Sequence, residues 1–141
     1  MRARPFLVTG LLFSAAGDFG GGLWALLDWR NAARFMAARV PDWDAQGRAA
    51  ALGLADEALG QLWANLGTAL MALGAVQAVA ALWVARERPE GVTLARLVGW
   101  ALIVAGGLMA TAGGQISSLV TEATRGLVIL ALAVWTRNEG R

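Results

Sequence analysis

Residues 60–84 read GQLWANLGTALMALGAVQAVAALWV. The stretch holds no aspartate, glutamate or arginine. Only Gln61, Asn65, Thr68 and Gln77 interrupt its apolar and small side chains. A helix that crosses a bilayer needs about 20 predominantly apolar residues, so this run is long enough. Its glycines are regularly placed. Gly60, Gly67 and Gly74 are spaced by seven, Gly53 precedes them in register, and Ala81 continues the series. A seven-residue repeat keeps one stripe on one helix face and favours a left-handed supercoil. In lipid, helices associate largely by close backbone approach, which small residues allow. The stretch predicts a membrane-spanning helix packed through a glycine stripe.

Three other apolar runs extend this reading: Phe6–Leu27, Leu97–Gly114 and Ile116–Trp135. The third span repeats the spacing with Gly99, Gly106 and Gly113, and the first carries Gly10 and Gly17. The expected fold is all-α: a single domain over residues 1–141, an integral membrane four-helix bundle, left-handed and glycine-packed. Spans cover about 6–27, 60–84, 97–114 and 116–135, with an outer loop over about 28–59. Composition agrees. Of 141 residues, 57% are hydrophobic and 16% charged, where soluble domains carry about 25% charged.

The twelve basic residues are all Arg, and His, Cys, Tyr and Lys are absent. That excludes disulfides, thiolate metal sites, cysteine nucleophiles and histidine bases or ligands. No cofactor, metal or catalytic residue is expected, and the balance weighs against an enzyme. No arginine cluster with interleaved aromatics points to nucleic acid.

Arginine placement orients the chain. Arg2, Arg4, Arg86, Arg88, Arg96, Arg137 and Arg141 share one side of a four-span topology, against Glu87, Glu90 and Glu139. The other side holds Arg30, Arg34, Arg39 and Arg48 against Asp28, Asp42, Asp44, Asp56 and Glu57. The positive-inside rule then puts both termini in the cytoplasm. Trp83, Trp100 and Trp135 fall at the expected inner boundary, and Trp29 and Trp63 near the outer one, as an aromatic belt. A signal peptide is the competing reading, with Arg2 and Arg4 before a short apolar run and Ser14–Ala15–Ala16 as a cleavage site. The return of apolar character at Phe19–Leu27 weighs against it. In the outer loop, Asn31–Val40 reads as a short interfacial helix ended by Pro41. Trp29, Ala33, Met36 and Val40 share one face, and Asp42 or Asp44 is placed to cap a following helix through Ala49–Leu59.

Asp18 stands in the middle of the first span, within SAAGDFGGGLW (residues 14–24). No kinase phosphate loop or calcium loop accompanies its DFG triplet. At ~1.5 Å per residue, it lies about 14 Å from the outer end. In the fourth span, Glu122 is about 9 Å deep and Arg125 about 14 Å by the same rise. Residues three apart share a helix face. An unpaired charge at a helix centre costs roughly 2.5–3.5 kcal/mol on insertion scales. Asp18, Arg125 and Glu122 are therefore expected to cluster in the outer half. Glu57, Gln61, Asn65 and Thr68 form a polar stripe on one face of the second span, and Ser14, Ser118 and Thr121 add hydroxyls. Gln61 and Asn65 join the cluster as candidate site residues lining an outward-open crevice. Gln77 is left as the lone polar side chain of the inner half.

Length and span count resemble small bacterial membrane proteins of the DoxX-like kind; no motif carries residues across. Glycine- and arginine-heavy composition suggests a GC-rich bacterium, hence its inner membrane. Partners are the lipid bilayer and, through the glycine stripes, a second copy or a larger membrane complex. The cluster binds or transports a small ligand, cation or lipid in one reading. In the alternative, the chain is a structural or accessory subunit whose ion pairs order the bundle. A lipid-modifying enzyme using paired carboxyls is a third and weaker reading.

Overall fold

The computed structural model describes residues 2–39, 56–113 and 116–139. Among them are five helices and no strand: α1 (Arg4–Leu27), α2 (Trp29–Arg39), α3 (Asp56–Ala85), α4 (Pro89–Gly113) and α5 (Ile116–Glu139). Four of these, α1, α3, α4 and α5, are long and apolar enough to cross a membrane. Gly53, Asp42, Asp44 and the helix expected before residue 56 lie outside the described residues.

Local chemistry sets the helix boundaries. Pro5 opens α1, where its missing N–H costs nothing. α1 stops at Asp28, whose φ of −151° leaves helical geometry. The same residue starts α2: its carboxylate accepts from the Asn31 backbone N–H at 3.3 Å and from Asn31 Nδ2 at 2.6 Å. After α3 the chain turns sharply. The Arg88 N–H donates to the Trp83 carbonyl at 2.9 Å and the Glu87 N–H to the Val84 carbonyl at 3.1 Å. This pairing caps the orphan carbonyls of a helix end and needs a left-handed residue. Here that residue is Glu87, at φ 60°. Pro89 then begins α4.

The helix that carries the third apolar run begins before it, at Pro89 instead of Leu97. The first turns, PEGVTLAR, are too polar for an apolar run but have a proline in the opening position. Trp100 therefore stands about 16 Å along α4 at ~1.5 Å per residue, well inside the helix and exposed.

Helices α1 and α3 pack closely, as do α4 and α5; α3 also meets α4, and α1 touches α5 along a shorter stretch. Glycine sits at the closest approaches. A Cβ on Gly22 would lie 2.5 Å from the Gly67 carbonyl oxygen, and one on Gly74 2.9 Å from that of Ala15. Gly99 and Gly126 face each other in α4 and α5 with no room for a side chain, and Gly106 sits against Leu119 and Glu122. On α1 the expectation needs correction. Gly17 and Gly21 have open space where a Cβ would go, and the close contact belongs to Gly22.

Two apolar cores result. One draws Leu7 and Leu11, Ala80 and Val84, Val98 and Leu102, and Ile129 and Ala133 from all four long helices. The other lies at the opposite end, where α2 folds Ala32 and Ala33 onto Ala25 and Trp63. The cores leave a middle layer between them, and that layer is polar.

The contacts predict opposite outcomes at neighbouring glycines. Gly22→Leu and Gly126→Leu should lower stability by about 1–3 kcal/mol or more through overpacking. Gly20→Ala and Gly21→Ala should leave it unchanged or raise it by up to ~1 kcal/mol, since alanine favours helix. Unfolding titrations in mixed micelles would separate the two groups.

Candidate functional site

The middle layer is built around one arginine. Arg125 of α5 directs Nη2 at α1, where it donates to Asp18 Oδ1 at 2.9 Å and Oδ2 at 2.8 Å. The same nitrogen donates to Ser14 Oγ, one turn earlier on α1. Nη1 donates to both carboxylate oxygens of Glu122, at 2.9 and 2.8 Å, within α5. Asp18 and Ser14 are more than nine-tenths buried. The guanidinium thus bridges two helices and two carboxylates, using the planar fork that makes arginine suited to buried pairing. Charge-assisted bonds of this kind are about twice as strong as neutral ones.

A third helix takes part. Gln77 of α3 donates from Nε2 to Asp18 Oδ2 at 2.7 Å and is wholly buried. Its Oε1 is buried without a hydrogen-bond partner. Position along the span alone sets Gln77 apart, in the inner half. The helix–helix register supplies the missing signal: Gly74 packs on Ala15 and Phe19 of α1, which brings position 77 within side-chain reach of Asp18.

Gln61 and Asn65 are not brought to this cluster. Gln61 Nε2 donates to Asn65 Oδ1 at 3.0 Å on an exposed face of α3. Asn65 is about 18 Å from Gln77 along the helix, at ~1.5 Å per residue. Thr68, also exposed, donates to the Ala64 carbonyl.

A cavity of about 530 Å³ opens beside Arg125, walled only by residues of α1 and α5. Ser14, Asp18 and Arg125 form its polar end, and Phe13, Val128 and Ile129 its apolar sides. Gly10 and Gly17 also line it. The open space beside Gly17 is thus part of this groove. Phe13 and Val128 are exposed, so the groove faces outward from the helices. Glu122 does not line it. With all groups ionised, Asp18, Glu122 and Arg125 sum to one negative charge, placed next to an apolar wall.

Comparison with protein-family models, curated proteins and solved structures finds no match to this chain. The likeness to DoxX-like proteins stays one of length and span count.

The network predicts a strong asymmetry between single and combined substitutions. Arg125→Met strands two carboxylates and should cost about 3–5 kcal/mol, the usual penalty for removing one partner of a buried pair. Adding Asp18→Asn and Glu122→Gln to it should restore most of that loss. Denaturation midpoints of the single and triple variants test this; equal midpoints would contradict it.

Proposed function

We propose that the chain is a small multi-pass inner-membrane protein, with both termini in the cytoplasm, that binds a hydrophobic cation in the groove between α1 and α5. Four helices of spanning length support the membrane setting. The arginines near the N-terminus, between α3 and α4 and at the end of α5 support the orientation. In this reading the four long helices form a left-handed, glycine-packed bundle. α2 lies in the outer interface, its Trp24–Phe35 and Trp63 contacts tying it to α1 and α3.

One observation carries the ligand assignment: a cluster of formal charge −1 ends an apolar groove that faces outward from the helices. A surplus charge in a low-dielectric layer is costly, and a bound cation or proton removes that cost. The apolar walls select a cation with hydrophobic substituents, and Phe13 offers it an aromatic face. Entry is sideways from the bilayer. Among the described residues, the apolar core of all four long helices lies beyond the groove toward the start of α1, so the reading is binding and not an open channel.

A second reading, a structural or accessory subunit, draws on Leu97, Trp100, Val104 and Leu108. They form one exposed apolar stripe along α4 and offer a face to a partner or a second copy.

Equilibrium dialysis of tetraphenylphosphonium against the purified protein tests the groove. Glu122→Gln removes the surplus charge without touching the lining, and Gly17→Leu fills the groove without touching the charge. Each should weaken binding by about tenfold or more, equivalent to ~1.4 kcal/mol. Tetraphenylborate, of similar size and opposite charge, should not bind. Wild-type affinity in both variants would overturn the cation site and favour the subunit.

A further inference from the structure

A second cavity, of about 510 Å³, lies where the ends of all four long helices meet. Its lining includes Arg4 at the start of α1, Arg88 in the α3–α4 turn, Arg96 on α4 and Arg137 in the last turn of α5. Glu87 is its one acidic residue, and it forms an ion pair with Arg4. The lining thus carries four positive charges against one negative.

Among the described residues, Arg88, Arg96 and Arg137 have no carboxylate partner. Arg96 is the informative one. It stands about 10 Å into α4 from Pro89 at ~1.5 Å per residue, and it is half-buried. A half-buried guanidinium is best served by an anion held against it, and among the described residues no carboxylate meets this one. The cavity also receives the N-terminus of α4, since Pro89, Val92 and Thr93 line it. That end of a helix carries partial positive charge. Val84 and Val92 add apolar wall.

We infer that this cavity holds the phosphate group of an anionic phospholipid. Its position selects the lipid as the source of phosphate. The cavity sits at the ends of four helices of spanning length, where the headgroups of a spanned bilayer lie. Basic pockets between helices on the cytoplasmic side suit such headgroups. Glu87 tunes the site by holding Arg4, and it does so from a left-handed backbone position that a side chain disfavours. The inference rests on the membrane setting and not on the α1–α5 groove.

Carbonate extraction of membranes first checks that the chain is integral; release into the supernatant would overturn the setting itself. Native mass spectrometry then counts lipids retained by the purified protein after addition of phosphatidylglycerol or phosphatidylcholine. Wild type should retain one phosphatidylglycerol at concentrations where phosphatidylcholine leaves none. Each arginine near an anionic headgroup contributes about fivefold, so Arg96→Gln with Arg137→Gln should weaken retention about twenty-fivefold. Glu87→Gln frees Arg4 and should strengthen retention about fivefold, a gain that a misfolded variant cannot give. Equal retention of the two lipids, unchanged retention in the double variant, or weaker retention in Glu87→Gln would overturn the site. Displacement of phosphatidylglycerol by millimolar inorganic phosphate would assign the cavity to a free phosphate compound instead.

Discussion

A guanidinium inside a layer of apolar helices must be met on every side that water would have met. Arg125 satisfies this demand with one nitrogen reaching α1 and the other returning to α5, while Gln77 of α3 donates to the Asp18 carboxylate of α1. The consequence is architectural. Close glycine contacts lie between α1 and α3 and between α4 and α5, and Gly91 of α4 reaches across the pairs near the turn, against Trp83 and Val84 of α3. Between the pairs, one apolar core joins all four helices toward the N-terminal end of α1. At mid-height the link from α5 back to the first pair is Arg125. The groove exists because that link is a long side chain across a gap, not a backbone contact.

The same division explains what could be read from residues alone. Helix number followed from run length. Helix ends did not, because a run of apolar residues says nothing about polar turns that continue the helix, as at Pro89–Arg96. Asp18 and Arg125 could be matched because each is nine residues from the outer end of its own span, so equal depth needed no knowledge of packing. Gln77 required the register between α1 and α3, which is set by Gly22 against Gly67 and Gly74 against Ala15. A stripe of one residue type marks a face and leaves open which neighbour that face meets. Gly60, Gly67 and Gly74 do meet side chains or backbone of α1 and α2. Gly10 and Gly17 share the same spacing on α1, yet line the groove. Gln61 and Asn65 show the converse: periodicity put them on one face, and they bond to each other there, away from Asp18.

Two of the charged regions of the molecule are of opposite sign. The middle layer carries a formal −1 around Arg125, and the end where α3 turns into α4 carries the arginines of the second cavity. The layers share no lining residue. They also answer to different requirements. Arginines at helix ends reach headgroups with little penalty, because their long stems cover apolar surface while their heads stay wet. Charges at mid-height have no such route and depend wholly on one another.

That dependence makes Glu122 the residue to explain. Arg125 and Asp18 alone would form a neutral pair, bonded through both carboxylate oxygens. The free Nη1 donors would be served as well by a glutamine at position 122, with no charge to bury. A network whose only task is to order helices is cheapest at zero net charge, since each surplus charge adds a desolvation penalty that pairing does not repay. Glu122 breaks that economy from outside the groove wall, where it touches Arg125 and no groove space. Its effect on the groove is therefore electrostatic: it leaves Asp18 facing the cavity with a guanidinium already shared. Helix ordering accounts for Asp18, Arg125, Ser14 and Gln77. The second carboxylate is the one member of the network that helix ordering does not require.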